Sequence, residues 1–265
     1  MEETVYHYCS MSTFTSIMRN RSIWLTTLRD SNDSFEGTWA RRKFEALRPS
    51  PVSDCFKKAS YILDWATHSG RNVAGICFSA EKDLLSQWRG YADDGRGFSI
   101  GFSVDGLKSI ARKLNESHRL NLEFEAIEYL DRLDSDFLKE LKEFVDRQGH
   151  SSDGTTASLS IDNVGLQDWV RRVSLMKNVA FKEEREFRFF VLYPDQEAKG
   201  FGYRTAGSKL SPYLEVSLEE KLGEIIQSVV IGPKNTSDED HIRDYVAKSG
   251  FSNVYDVSKS RASYR

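Results

Sequence analysis

Two stretches of the chain, NVAGICFS (Asn72–Ser79) and GFSIGF (Gly97–Phe102), are of strand length and carry no charge. An edge strand would alternate apolar with polar residues, whereas continuous apolar runs of this length suit strands buried within a sheet. Both are read as central strands, and the remaining elements must be built around them. TVYHYC, SIWLTT and the half-alternating NLEFEAIEYL read as further strands, with SVVIGP and NVYDVS following near the end of the chain.

Helical patterns supply the cover. STFTSIMRN reads as a helix opened by Ser12 or Thr13. Phe35, Trp39 and Leu47, then Phe56, Ala59, Leu63 and Ala66, recur at helical spacing on either side of Pro49 and Pro51, which predicts two helices. LLSQWRGYADDGRG is a helix running into a glycine turn, and Leu107, Ile110, Ala111 and Leu114 share one helical face. Further helices are expected over Asp134–Arg147, through Leu166, Trp169, Val173 and Val179, and after a cap at Ser237. The Gly/Ser/Thr/Asp-rich segment 149–163 has no core pattern and is expected to be a mobile loop or internal linker. Because strands lie on both sides of it, the expectation is one α+β domain over 1–265 with a mixed sheet surrounded by helices.

Charge narrows the partners. Lys+Arg (37) nearly balances Asp+Glu (40), so no overall field draws the chain to nucleic acid or to an anionic membrane. Local basic clusters at Arg41–Lys43 and Trp169–Arg172 could meet nucleic acid, but short basic clusters on helices are usually solvated faces. No membrane-spanning run and no leader pattern is present, so a cytoplasmic location is expected. Cys9, Cys55 and Cys77 lack CxxC spacing and read as reduced packing residues.

The most charged strand candidate is KNVAFKEEREFRFF (Lys177–Phe190). If it is extended, Glu184, Glu186 and Arg188 share one face and Arg185, Phe187 and Phe189 the other. A solvated ladder and a site wall both fit that pattern. Other polar groups at the borders of the apolar runs are His7 between two tyrosines, the NDSFE turn (Asn32–Glu36) and Tyr91. Asp33, Glu36, Glu184 and Glu186 could together hold a hard divalent cation for a nuclease if the fold gathers them. P-loop, GxGxxG and HExxH patterns are missing.

In order along the chain, YHYCS (Tyr6–Ser10), NDSFE, CFS (Cys77–Ser79), LSQWRGYADDGRGFSIGF (Leu85–Phe102) and KNVAFKEEREFR (Lys177–Arg188) resemble the bacterial domain of unknown function 2971 family. Ser34 stands where that family's turn has proline, and Phe181 where tryptophan precedes its paired glutamates. The family name supplies no activity.

A looser resemblance is to the His-Tyr-Glu arrangement of ADP-ribosyltransferases. It implies a split sheet and NAD as substrate, with His7 binding ribose, Tyr91 stacking on nicotinamide and Glu186 engaging the nicotinamide-side ribose. Glu184 competes with Glu186 for that role. Tyr8, Asn32, Asp33, Glu36, Ser79, Trp88, Arg96 and Arg188 complete the implied binding set, Trp88 by packing and the arginines by answering the pyrophosphate. The expected partner is a macromolecular acceptor, nucleic acid or protein, as for a toxin or antiphage effector. A metal-dependent nuclease and a non-catalytic nucleotide- or partner-binding module are the alternatives. Oligomeric state is not legible.

Overall fold

The computed structural model describes residues 3–28, 38–68, 73–118, 120–148, 163–192, 196–206, 208–254 and 256–264. Asn32, Asp33 and Glu36, and the segment 149–163 except for its last residue, lie outside them. The chain begins with β1 (Thr4–Cys9), α1 (Met11–Asn20) and β2 (Ser22–Thr27), followed by α2 (Trp39–Glu45) and α3 (Asp54–His68) on either side of the proline break. Next come β3 (Val73–Ser79), α4 (Leu85–Tyr91), β4 (Phe98–Ser103), α5 (Val104–His118), β5 (Leu122–Ala126) and β6 (Glu128–Leu130). After α6 (Ser135–Arg147) and α7 (Asn163–Ser174) lie β7 (Met176–Asn178), a 3-10 helix (Val179–Glu184) and β8 (Glu186–Leu192). The chain continues through β9 (Phe201–Ala206), β10 (Lys209–Ser217), β11 (Ile226–Ile231), α8 (Glu239–Lys248) and β12 (Asp256–Lys259).

Several boundaries differ from the sequence reading, each for a local reason. Ser10 caps α1 by accepting the Thr13 amide at 3.2 Å, ahead of the expected Ser12 or Thr13. Asp238, not Ser237, caps α8 because its carboxylate takes two amides, those of Asp240 and His241. NLEFEAIEYL is two strands, since the Ile127 amide donates to the Glu186 carbonyl while the next amide, Glu128, donates to Leu175. The helix expected to reach Val179 ends at Ser174, and Glu184 closes the 3-10 helix, so β8 starts only at Glu186. The β9–β10 hairpin was not foreseen.

Among the described residues, ten strands form one mixed, mostly antiparallel sheet, with β6 and β7 paired beside it. NVAGICFS and GFSIGF are central, as expected, and β8 is also interior, held between β3 and β5. The sheet forks at β3. One edge of β3 pairs with β8 from Val73 to Ser79. The opposite edge is divided: β2 takes Ala74 and Gly75, and β1 takes Ser79. One arm continues through β1, β4, β11 and β12, the other through β2, β10 and β9.

Helices cover both faces, making the fold α+β. Phe14 of α1, Leu107 of α5 and Val246 of α8 pack with Ile76, Phe98 and Phe189 on one face. On the other, α2, α3, α6 and α7 enclose Trp39, Ile62, Phe137, Trp169 and Phe190. Each large side chain removed from water in this way stabilises the fold by about 1.5–3 kcal/mol. A smaller cluster, Tyr8, Trp88, Ala92 and Val230, seats α4 on the β1 arm. The turn after α4 lies so close to β1 that a Cβ on Gly97 would sit 2.0 Å from the Cys9 carbonyl oxygen, so only glycine fits there.

Candidate functional site

The fork leaves Cys77 between the two arms, with β2 on one side of it and β1 on the other. His7 closes that gap with its side chain, its Nδ1 lying 2.9 Å from the Cys77 carbonyl oxygen. A carbonyl can only accept, so Nδ1 carries the proton. Burial lowers the His7 pKa, with the Cys77 bond opposing, and the neutral ring leaves Nε2 as an acceptor.

Beside this gap is a cleft of about 450 Å³, counted out to its open mouth, lined by His7, Tyr8, Cys77, Phe78, Gln87, Tyr91, Glu184 and Glu186. Sequence neighbours on a strand point to opposite faces of a sheet. A cavity lined by both His7 and Tyr8, and by both Cys77 and Phe78, is therefore a cavity at an interruption in the sheet. The fork supplies that interruption. Tyr91 and Gln87 reach it from α4, one helical turn apart. Burial raises the pKa of the Tyr91 phenol, which stays protonated and able to donate.

The carboxylates enter through a tight connection. Arg185 adopts a left-handed conformation (φ 44°) between the 3-10 helix and β8, bringing Glu184 and Glu186 to a common cation. That cation is Lys177 of β7, with Nζ at 2.6 Å from Glu184 Oε2 and 2.7 Å from Glu186 Oε2. Arg188 Nε lies 2.7 Å from Glu186 Oε1, and its Nη1 donates to the Ser174 carbonyl. All four side chains are buried, Arg188 to 1% exposure. The cations offset the carboxylates they touch, which lets charges that would be costly alone stay ionised in the interior. Burial alone would raise the Glu186 pKa, but Arg188 and Lys177 overrule it and hold the carboxyl down at about 2. Burial likewise works against the Lys177 ammonium, and Glu186 and Glu184 reverse the effect and raise its pKa.

The backbone of the pair is fixed as well. Ser79 Oγ donates to the Glu184 carbonyl at 2.6 Å, and the Glu186 amide donates to the Tyr129 hydroxyl at 2.8 Å. Phe181 lies with its ring centroid 5.1 Å from Lys177 Nζ.

His7, Tyr8, Tyr91, Glu184 and Glu186 are thus brought together, while four other residues of the expected binding set stand elsewhere. Ser79 is a buried strut beneath Glu184. Trp88 packs edge-on against Tyr8 and donates to Asp83, out of reach of the cleft. Arg188 lies behind Glu186 and is enclosed, so it does not answer an external phosphate; the Phe-rich strand around it has no solvent side. Arg96 is exposed on the turn after α4, 3.9 Å from Asp94, and does not line the cleft. Of the basic clusters, Arg171 holds Glu123 and Glu125, and Arg172 stacks on Trp169.

Lys177, Gln87 and Phe78 are residues at the site that the sequence reading quoted without assigning, and Cys77, read there as a packing residue, also lines the cleft. Lys177 is separated from the glutamates by Lys182, which the sequence offers as readily, and its role depends on the β6–β7 pairing. Among the described residues, no group of His, Cys, Asp or Glu is arranged to hold a metal ion. No helix is long and apolar enough to cross a membrane.

The family model described as Protein of unknown function (DUF2971) matches residues 87–189. That span begins at Gln87 in the cleft and includes Tyr91, Lys177, Glu184, Glu186 and Arg188, whereas His7, Tyr8, Cys77 and Phe78 precede it. No curated protein and no solved structure matches the chain.

Proposed function

With residues 87–189 placing the chain in the DUF2971 family, we propose that the cleft at the fork binds the nicotinamide–ribose end of NAD and cleaves the bond between them. The observation that carries this reading is the meeting of His7, Tyr91 and the Glu184/Glu186 pair in one cleft where the sheet divides. The order His7, Tyr91, Glu184/Glu186 follows the His-Tyr-Glu order of ADP-ribosyltransferases, and a divided sheet is what that resemblance implies.

The chemistry suits these groups. When the C–N bond breaks, its electron pair leaves with the ring nitrogen, releasing neutral nicotinamide and an oxocarbenium-like ribose. A fixed, ionised carboxylate stabilises that developing positive charge more than it stabilises the ground state. His7 Nε2 accepts from a ribose hydroxyl, and Tyr91 covers the leaving ring. Water or an acceptor group on nucleic acid or protein then adds to the ribose carbon and gives up a proton. Transfer to a macromolecule would make the protein an effector of toxin or antiphage type.

The test is to incubate the purified protein with NAD, with and without cell extract, and to quantify nicotinamide by mass spectrometry. Release by the wild type, reduced roughly 100-fold or more in a folded Tyr91→Ala or Glu184→Gln variant, is the expected result. NAD that raises the melting temperature without nicotinamide release overturns cleavage in favour of a binding module. Strictly metal-dependent nucleic-acid hydrolysis without nicotinamide release overturns it in favour of a nuclease.

A further inference from the structure

Gln87 is buried, and the fold makes no use of its side chain. It is 8% exposed and lines the cleft, yet among the described residues its amide makes no hydrogen bond. Glutamine is seldom buried, and a polar group taken out of water normally finds a partner. The helix that carries it is firmly set. Trp88, the next residue, packs edge-on against Tyr8 and donates to Asp83 at 2.7 Å, and the Leu84 amide donates to the Tyr8 hydroxyl at 2.9 Å. Gln87 and Tyr91 stand one turn apart on one face of α4, so a flat ring covered by Tyr91 has an edge within reach of Gln87.

We propose that Gln87 is the specificity-determining residue of the cleft and that it recognises a primary carboxamide on the ligand, the group that nicotinamide carries and nicotinic acid lacks. The pairing is two-sided. A glutamine amide offers an N–H donor and a carbonyl acceptor side by side, and a primary carboxamide offers the same two in return. A carboxylate returns only acceptors, leaves the Gln87 carbonyl without a donor, and meets Glu184 and Glu186 as a like charge. Water can serve Gln87 while the cleft is open, but a ligand that closes the mouth must replace that water bond for bond. An adenine edge also pairs with glutamine at two points. The cleft favours the nicotinamide end, because the charged side chains on its lining are both acidic and Tyr91 presents an aromatic face, which suits a cationic pyridinium better than neutral adenine.

The identity of the ring rests on the NAD reading, whereas the pairing of Gln87 with a carboxamide is open to test without it. Full-length wild type and Gln87→Met are compared. Without ligand, Gln87→Met should melt at or above the wild-type temperature, since it removes a polar group that bonds to nothing in the described protein. A fall of several degrees, or a variant that does not fold, means that the amide has a structural partner and overturns the proposal.

NMR titration with free nicotinamide, nicotinate and adenosine then reads recognition without catalysis. Wild type should bind nicotinamide roughly 10- to 100-fold more tightly than nicotinate, and Gln87→Met should close most of that gap by losing affinity for nicotinamide. Equal binding of amide and acid by the wild type, or no binding of nicotinamide, overturns the assignment. A preference for adenosine that disappears in Gln87→Met gives the amide to a nucleobase edge and overturns it likewise.

Turnover separates the two readings. For nicotinamide release from NAD against nicotinate release from nicotinic acid adenine dinucleotide, kcat/KM should favour NAD by roughly 100-fold in wild type and by far less in Gln87→Met. Gln87-dependent binding of nicotinamide by a protein that leaves NAD intact removes cleavage and keeps the carboxamide subsite. Cleavage of both dinucleotides with equal kcat/KM keeps cleavage and removes the subsite.

Discussion

The molecule contains the Glu-x-Glu spacing twice, and in each copy one cation touches both carboxylates. On β5, Glu123 and Glu125 meet Arg171 of α7 at 2.6 and 2.9 Å. At the start of β8, Glu184 and Glu186 meet Lys177 at 2.6 and 2.7 Å. The distances barely differ, but the surroundings do. The β5 side chains are 29–45% exposed and those of the second group 6–10%. Exposed ion pairs gain little over hydration, whereas buried ones are committed to one another once water is gone. The same pattern is therefore surface trim in one place and a polarised wall in the other, and burial decides which.

Removing one member of each group is the strongest way to break that contrast. Glu186→Gln removes the buried charge that Arg188, at 1% exposure, and Lys177 both hold, and is expected to cost about 3–5 kcal/mol in chemical denaturation. Glu123→Gln should cost less than about 1 kcal/mol. Comparable costs at the two positions would mean that the β8 cluster is open to water and not a buried network.

Acid sharpens the same comparison with a smaller effect. The Glu186 carboxyl, whose burial is overruled by Arg188 and Lys177, is depressed in the folded chain to about 2, from an ordinary value of 4.5. A depressed carboxylate contributes stability that is fully present above its unfolded pKa. That contribution is lost as pH falls through the window from about 4.5 to about 2. It is on the order of 3 kcal/mol. Denaturation of the wild type across that window should lose this amount relative to Glu186→Gln, which lacks the group. Parallel pH profiles for the two proteins would refute it.

How much of this could be read from the sequence follows from which interactions are local. NVAGICFS and GFSIGF read correctly as interior strands because an uncharged run of strand length reports burial directly. The helices around Pro49 and Pro51 and the α5 stripe were equally plain. Where the chain changes partners, local pattern failed. NLEFEAIEYL alternates smoothly through Ile127, although its two halves belong to different sheets. Glu184 looked like a strand neighbour of Glu186 because the 3-10 helix and the left-handed Arg185 between them leave no periodic mark. Arg188 looked available because an alternating charged face normally meets solvent, but α7 and β7 close over this one. His7, Tyr91 and the glutamates were grouped in the sequence by a looser resemblance that rests on their order and strand placement. The fork that brings them together involves pairings between residues as distant as Tyr6 and Ser79.

The smallest effect falls on the exposed pair and is also the most exacting. Arg171→Gln removes the cation shared by Glu123 and Glu125 on a half-open surface. The cost should lie within about 0.2–1 kcal/mol at low salt. It should shrink further near 1 M salt, where the screening length falls to about 3 Å. The stability difference between Lys177→Met and wild type, by contrast, should hardly change with salt, since counterions do not reach a side chain that is 6% exposed. A salt-sensitive Lys177 would place mobile ions inside the fork and make the Glu184–Glu186 wall a solvated one like the other. A salt-insensitive Lys177 beside a salt-sensitive Arg171 would establish that one spacing, with a cation shared by both glutamates in each case, acquires a different physical character at the depth to which the sheet holds it.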